Sequence, residues 1–197
     1  MPTGHPWVHT RTMTSAAFLP DLPDRTNPLF SAGDAAEASL LDAILRHAGT
    51  HPSQLAVKDD DESVSFAELA ERVAVSASGL AQIGVQEGDR IILSIPNSSQ
   101  FVIAALACLW LGSPFIPIAT DDPASRRARI MKDSSATWSL ALGSDHRLAG
   151  SRIRADGGQA QASALPTATG TPPRRADDGR RDAYVIYTSG TTGMPKG

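Results

Sequence analysis

Hydroxyls, glycines and a lysine crowd into one segment, Thr188-Ser-Gly-Thr-Thr-Gly-Met-Pro-Lys-Gly197. Ser189, Thr191 and Thr192 supply neutral donors, and Lys196 adds a positive charge. Gly190 and Gly193 let the backbone bend and approach a ligand with no Cβ in the way. Donors of this kind on a short loop suit the oxygens of a polyphosphate. The segment is not a Walker A loop: Met194 and Pro195 separate Gly193 from Lys196, and Gly197 stands where that motif places a metal-binding hydroxyl. A Ser/Thr/Gly-rich surface turn is the plain alternative for such a cluster.

The elements that must position the loop are legible upstream. Ala183-Tyr-Val-Ile-Tyr187 is a short apolar run that reads as a buried strand leading into it. Further back, Asp34 and Glu37 have capping-box spacing, and Leu40, Leu41, Ile44 and Leu45 form one helical face ending near Gly49. Leu55–Lys58 and Ser63–Ser65 read as paired strands around the acidic turn Asp59–Glu62, a solvated tip rather than a metal site. Ser65 and Glu68 repeat the capping-box spacing, and Phe66, Leu69, Val73, Leu80 and Ile83 predict a helix stopped at Gly84.

Arg90–Ile95 reads as a buried strand closed by Pro96, and Asn97 or Ser98 can cap the next helix. Phe101–Leu111 is apolar on nearly all sides, which predicts a core helix ended by Gly112. Phe115–Ile118 is a further strand. Asp122 is placed to cap a helix with Pro123 in its first turn, and Arg126, Arg127, Arg129 and Lys132 dot its surface. Trp138–Leu142 completes an alternating pattern that predicts an α/β fold with a mainly parallel sheet and flanking helices. In such sheets ligands bind beyond the carboxyl ends of the strands, where the loop should lie.

Read whole, the terminal string resembles the phosphate-binding core motif of adenylate-forming enzymes. This AMP-dependent synthetase/ligase superfamily includes acyl- and aryl-CoA ligases, nonribosomal peptide synthetase adenylation domains and luciferases. Ser63-Val-Ser-Phe-Ala-Glu-Leu69 is similar to the family's first core motif. Leu109–Ile118, followed by Asp122, Pro123 and Arg126, is similar to its second, with Trp110 where a lysine is common and Ala119 where an aspartate is common. The resemblance covers residues 37–142 and 183–197.

The resemblance implies the N-terminal part of that family's large domain, incomplete here. It also implies attack of a substrate carboxylate on the α-phosphorus of ATP with Mg2+, releasing pyrophosphate, then acyl transfer to coenzyme A or to the phosphopantetheine of a carrier protein. Thr188, Ser189, Gly190, Thr191, Thr192, Gly193 and Lys196 are assigned to the β- and γ-phosphates, and no residue of the chain is assigned as catalytic or metal-ligating. The family's adenine pocket, ribose aspartate, metal-binding carboxylate and mobile C-terminal domain lie downstream of this motif. The expectation is therefore an N-terminal fragment, inactive as a ligase in isolation. A non-catalytic binding module derived from such an enzyme, and an unrelated α/β nucleotide-binding protein, are the alternatives.

Composition bounds the rest. The chain has 197 residues, of which 41% are hydrophobic and 20% charged, as in an ordinary globular domain. A net charge of −3 gives no reason to invoke nucleic acid or an anionic membrane. Phe101–Leu111 is too short to span a bilayer. The single Cys108 suits a reducing compartment, which with the family points to the cytoplasm. Four regions are expected: a disordered tail over 1–33, an α/β part over 34–142, a flexible linker over 143–182, and a strand with a truncated phosphate loop over 183–197. The linker reading rests on the scarcity of large apolar side chains between Leu148, Ile153 and Leu165.

Overall fold

A computed structural model describes residues 39–153, 159–166, 173, 175–176, 182–189 and 195–196. The first helix, α1 (Leu40–Thr50), starts on Ser39, whose hydroxyl accepts from the Asp42 amide while Asp42 reaches back to the Ser39 amide. The capping box is thus Ser39–Asp42, and Asp34 and Glu37 lie outside the described residues. Strands β1 (Leu55–Lys58) and β2 (Ser63–Ser65) pair antiparallel. Ser65 ends β2 and caps α2 (Phe66–Gln82) in the anticipated box with Glu68. At the far end Gly84, at φ 99°, donates to Ala81 while Val85 donates to Leu80, so the left-handed glycine closes the helix.

Next come β3 (Ile91–Ser94), α3 (Ser99–Trp110), β4 (Phe115–Pro117), α4 (Ala124–Asp133) and β5 (Trp138–Leu142). Ser98 caps α3. Strand β3 lies between β4 and β5, parallel to both, with Ile92 opposite Ile116 on one side and Ser139 on the other. Side-chain alternation along β3 then divides the core. Ile91 and Leu93 join the larger apolar cluster with residues of α1, α2 and α3. Ile92 joins a smaller one with Ile116, Ile118, Ala136 and Ile130 of α4. Helices therefore cover both faces, which explains why β3 reads as a continuous apolar run.

The acidic turn is not a solvated tip. Asp59 closes it by accepting from the amides of Asp61 and Glu62, and its other oxygen accepts from the Ser99 amide at 2.7 Å. Glu62 pairs with both terminal nitrogens of Arg72 and accepts from the Ser99 hydroxyl. The hairpin thereby holds the first turn of α3, where a carboxylate is favoured by unpaired amides. The Ser99 amide, and after it that of Glu62, hold the Asp59 carboxyl at about 2, well below its ordinary 3.8.

Within 143–182, expected as a linker, two of the described segments join the sheet. Strand β6 (Leu148–Arg152) pairs antiparallel with β5 across its whole length, and β7 (Ser163–Ala164) adds to β6, giving the order β4-β3-β5-β6-β7. Small residues, which looked like a lack of core, are what allow close packing here. A Cβ on Gly150 would come within 2.6 Å of the Ile83 Cδ1, displacing it. Polar anchors fix more of this stretch. The Trp110 indole N–H donates to the Pro173 carbonyl at 2.8 Å, the Ala176 amide donates to the Trp110 carbonyl at 2.9 Å, and Arg175 pairs with Asp42. The 1–33 tail lies outside the described residues.

Leu80 is fully buried between the helical layer and the sheet. Leu80→Ala is expected to cost about 2–5 kcal/mol in urea unfolding, and a loss below about 1 kcal/mol would contradict the packing described. Because the Asp59 carboxyl titrates lower in the fold than in the unfolded chain, the stability it lends is present above pH 3.8 and fades as the pH falls toward about 2. Asp59→Asn is expected to flatten the acid limb of a stability–pH profile in that window while leaving its shape above pH 5 unchanged.

Candidate phosphate-binding site

The approach to the loop runs beside β4. The Phe115 amide donates to the Ala183 carbonyl at 3.2 Å and the Val185 amide donates to the Phe115 carbonyl at 3.0 Å, a parallel bridge centred on Tyr184. The direction is that of β3, β4 and β5, so the chain leaves the sheet at their carboxyl ends, as the phosphate reading requires. The segment is an edge rather than a buried strand. Val185 and Tyr187 pack onto the cluster around Ile116 and Ile130, whereas Tyr184 and Ile186 are each 55% exposed. An all-apolar run carries no alternation that would say which face is covered.

Helix α4 meets this segment. Tyr187 donates its hydroxyl to Asp133 Oδ2 at 2.6 Å, and its carbonyl oxygen accepts from Arg126 Nη2 at 3.4 Å. Burial, with the Asp133 hydrogen bond and charge behind it, pushes the Tyr187 phenol up to about 12. It stays protonated, and a donor, at any physiological pH. Asp122 does not cap α4: Pro123 holds the N-cap position with no side-chain cap, and the Asp122 carboxylate is engaged by Arg126 Nε at 3.1 Å. Asp133 had no signal in the sequence, since one acidic residue at a helix end is ordinary surface.

Beyond Tyr187, strands β8 (Thr188–Ser189) and β9 (Pro195–Lys196) pair antiparallel, with Thr188 opposite Lys196 and Ser189 opposite Pro195. The two flanks of the candidate loop are therefore side by side, and β9 runs beside α4. The Thr188 side chain is exposed. Gly190, Thr191, Thr192 and Gly193, the centre of the candidate site, lie outside the described residues.

Little else in the described residues offers chemistry. They contain no group of three or more His, Cys, Asp or Glu able to hold a metal ion. Cys108 is fully buried in α3, and burial pushes its thiol far above the ordinary range, which makes it inert. None of their helices is long and apolar enough to cross a membrane.

Comparison with known proteins agrees with this geometry. Residues 44–197 match the model of the AMP-binding enzyme family. The chain is 34% identical over 140 residues to pyochelin synthetase PchE of Pseudomonas aeruginosa, covering 70% of this chain and 9% of that one. It is 33% identical over 156 residues to L-proline--[L-prolyl-carrier protein] ligase of Pseudomonas fluorescens, covering 75% and 31%. Malpinin synthetase of Mortierella alpina matches at 33% over 147 residues, covering 74% of this chain and 2% of its own length. In fold, the chain is similar to the N-terminal subdomain of NpsA from Klebsiella oxytoca, solved with 3-hydroxyanthranilyl-AMSN, at a TM-score of 0.59 and 21% identity, covering 80% of this chain and 39% of that one. It is also similar to o-succinylbenzoate CoA synthetase of Bacillus subtilis, solved with an acyl-adenylate intermediate, at a TM-score of 0.58 and 24% identity, covering 82% and 42%. The chain thus spans less than half the length of each of these relatives. With its loop flanks set at the carboxyl edge of a parallel sheet, and with the match running from α1 through that loop, the chain belongs to the AMP-binding enzyme family.

Proposed function

We propose that this chain supplies the triphosphate-binding part of an ATP-dependent carboxylate-activating ligase. The observation that carries the reading is the pairing of Thr188–Ser189 with Pro195–Lys196, next to a segment bridged parallel to β4 at Tyr184 that runs toward the carboxyl ends of β3, β4 and β5. The donor set suits a polyphosphate: hydroxyls of Thr188, Ser189, Thr191 and Thr192, glycine backbone at Gly190 and Gly193, and the ammonium of Lys196. These groups would contact the β- and γ-phosphates. In the proposed reaction a carboxylate oxygen bonds to the α-phosphorus, the bond to the bridging oxygen breaks, and pyrophosphate leaves with the electron pair. Fixed donors on the leaving pyrophosphate lower the cost of the charge that builds there. Mg2+ would accompany the triphosphate and offset its charge; the described residues contain no group of three or more His, Cys, Asp or Glu that would hold it.

The acceptor of the acyl group is proposed by class. Relatives named as a carrier-protein ligase and as a CoA synthetase support a thiol, from coenzyme A or a carrier-bound phosphopantetheine. Since the chain spans 42% or less of the solved relatives it matches, the 197 residues by themselves are proposed to bind the nucleotide without turnover. A second reading, a non-catalytic interaction module derived from such an enzyme, is supported by the exposed pair Tyr184 and Ile186 on the sheet edge.

Calorimetric titration of the chain with MgATP distinguishes the two. Binding is expected, and Lys196→Ala is expected to weaken it by about tenfold to a hundredfold, the loss of one charged hydrogen bond. Equal affinity of the two proteins would remove Lys196 from the site, and no binding by the unaltered chain would favour the interaction module. Pyrophosphate release with a broad carboxylate panel is expected to stay at background, and sustained ATP-dependent release would overturn the proposed lack of turnover.

A further inference from the structure

Two bonds converge on the residue that delivers the chain to the loop. The Tyr187 hydroxyl is held by Asp133 and the Tyr187 carbonyl by Arg126. Both partners belong to α4, one in its first turn and one its last residue. Their spacing of seven residues puts them on one face of the helix, about 10 Å apart along its axis. Tyr187 is therefore fixed at both its backbone and its ring tip by a single rigid element. The same helix sends Ile130 into the cluster on which Val185 and Tyr187 pack, and it lies beside β9, the other flank of the loop.

Neither partner is suited to touch phosphate. An aspartate near a polyphosphate repels it. Arg126 is already engaged by Asp122 and by the Tyr187 carbonyl. With its proton directed to Asp133, the Tyr187 hydroxyl is not available as a donor to a ligand either. We propose that Arg126 and Asp133 are positioning residues for phosphate binding, acting through Tyr187 to set where and in what direction the chain leaves the sheet at Thr188. The inference rests on the phosphate-loop reading of the preceding section, and it assigns α4 to the site as its scaffold.

Hydrogen–deuterium exchange and nucleotide titration of the full 197-residue chain test it together. Asp133→Ala and Tyr187→Phe are each expected to speed exchange at the amides of Thr188, Ser189 and Lys196, with the β3 amides unchanged. Each is expected to weaken MgATP and inorganic tripolyphosphate binding by about tenfold, an ordinary coupling between two sites. Asp133→Asn keeps an acceptor oxygen and is expected to restore most of both. The double variant should be no worse than either single one, because both remove the same bond. Ile103→Val trims the larger apolar cluster, to which neither α4 nor Tyr187 belongs. It is expected to lower the melting temperature and leave affinity unchanged, separating positioning from stability. Unchanged exchange at the three amides in both Asp133→Ala and Tyr187→Phe overturns the positioning role. Faster exchange in those variants, with no binding of either probe by the unaltered chain, overturns the phosphate-loop reading and the proposal with it.

Discussion

The burial of β3 on both faces is the constraint on which the rest depends. Its residues are alternately claimed by two clusters, Ile91 and Leu93 by the helical layer of α1 to α3, and Ile92 by the α4 side. A strand so placed cannot slip by one residue, because each side chain would move to the opposite cluster. That fixed register sets β4 and β5 beside it, and β4 in turn sets the edge segment from which the candidate loop departs. The position of the loop is thus inherited from apolar packing several residues away from any donor.

Charged groups have a different task. They do not build the core; they join pieces that apolar contact leaves free to move. Asp59 and Glu62 fasten the β1–β2 hairpin to the start of α3, and Arg72 holds Glu62 from α2. Asp89 takes the Thr137 hydroxyl and the Trp138 indole N–H, tying the turn before β3 to the start of β5. Each of these carboxylates has specific donors, so little of the cost of bringing it out of water is left unmet.

Sequence periodicity reveals elements whose two faces differ in character. The Ser65–Glu68 box, the stops at Gly84 and Gly112, the apolar helix around Ile103 and the parallel pattern were all legible for that reason. Three features were not. Strand β6 is built from Ala149, Gly150 and Ser151, and small residues signal close approach only when their neighbour is known. The cap of the first helix is Ser39 with Asp42, a pair the sequence reading did not single out, since an aspartate is less usual than a glutamate at that place in the box. Asp133 acquires its role from Tyr187, more than fifty positions along the chain, and no local pattern encodes such a pair. The family was readable from the motif and α4 from its own pattern, while the bond from Tyr187 to Asp133 was not.

Trp110 departs from the lysine common at its position in the family, and its indole bond to the Pro173 carbonyl gives that departure a physical meaning, beside a backbone bond from Ala176 that any residue could accept. Closing a chain segment costs an entropy that grows with its length. Once Pro173 and Ala176 are seated on α3, the span left to reach Ala183 is short. The edge segment then meets β4 as the end of a tether rather than as a distant piece of chain. The indole thereby shortens the loop that must close when the edge segment joins β4, and lowers the entropy cost of that contact.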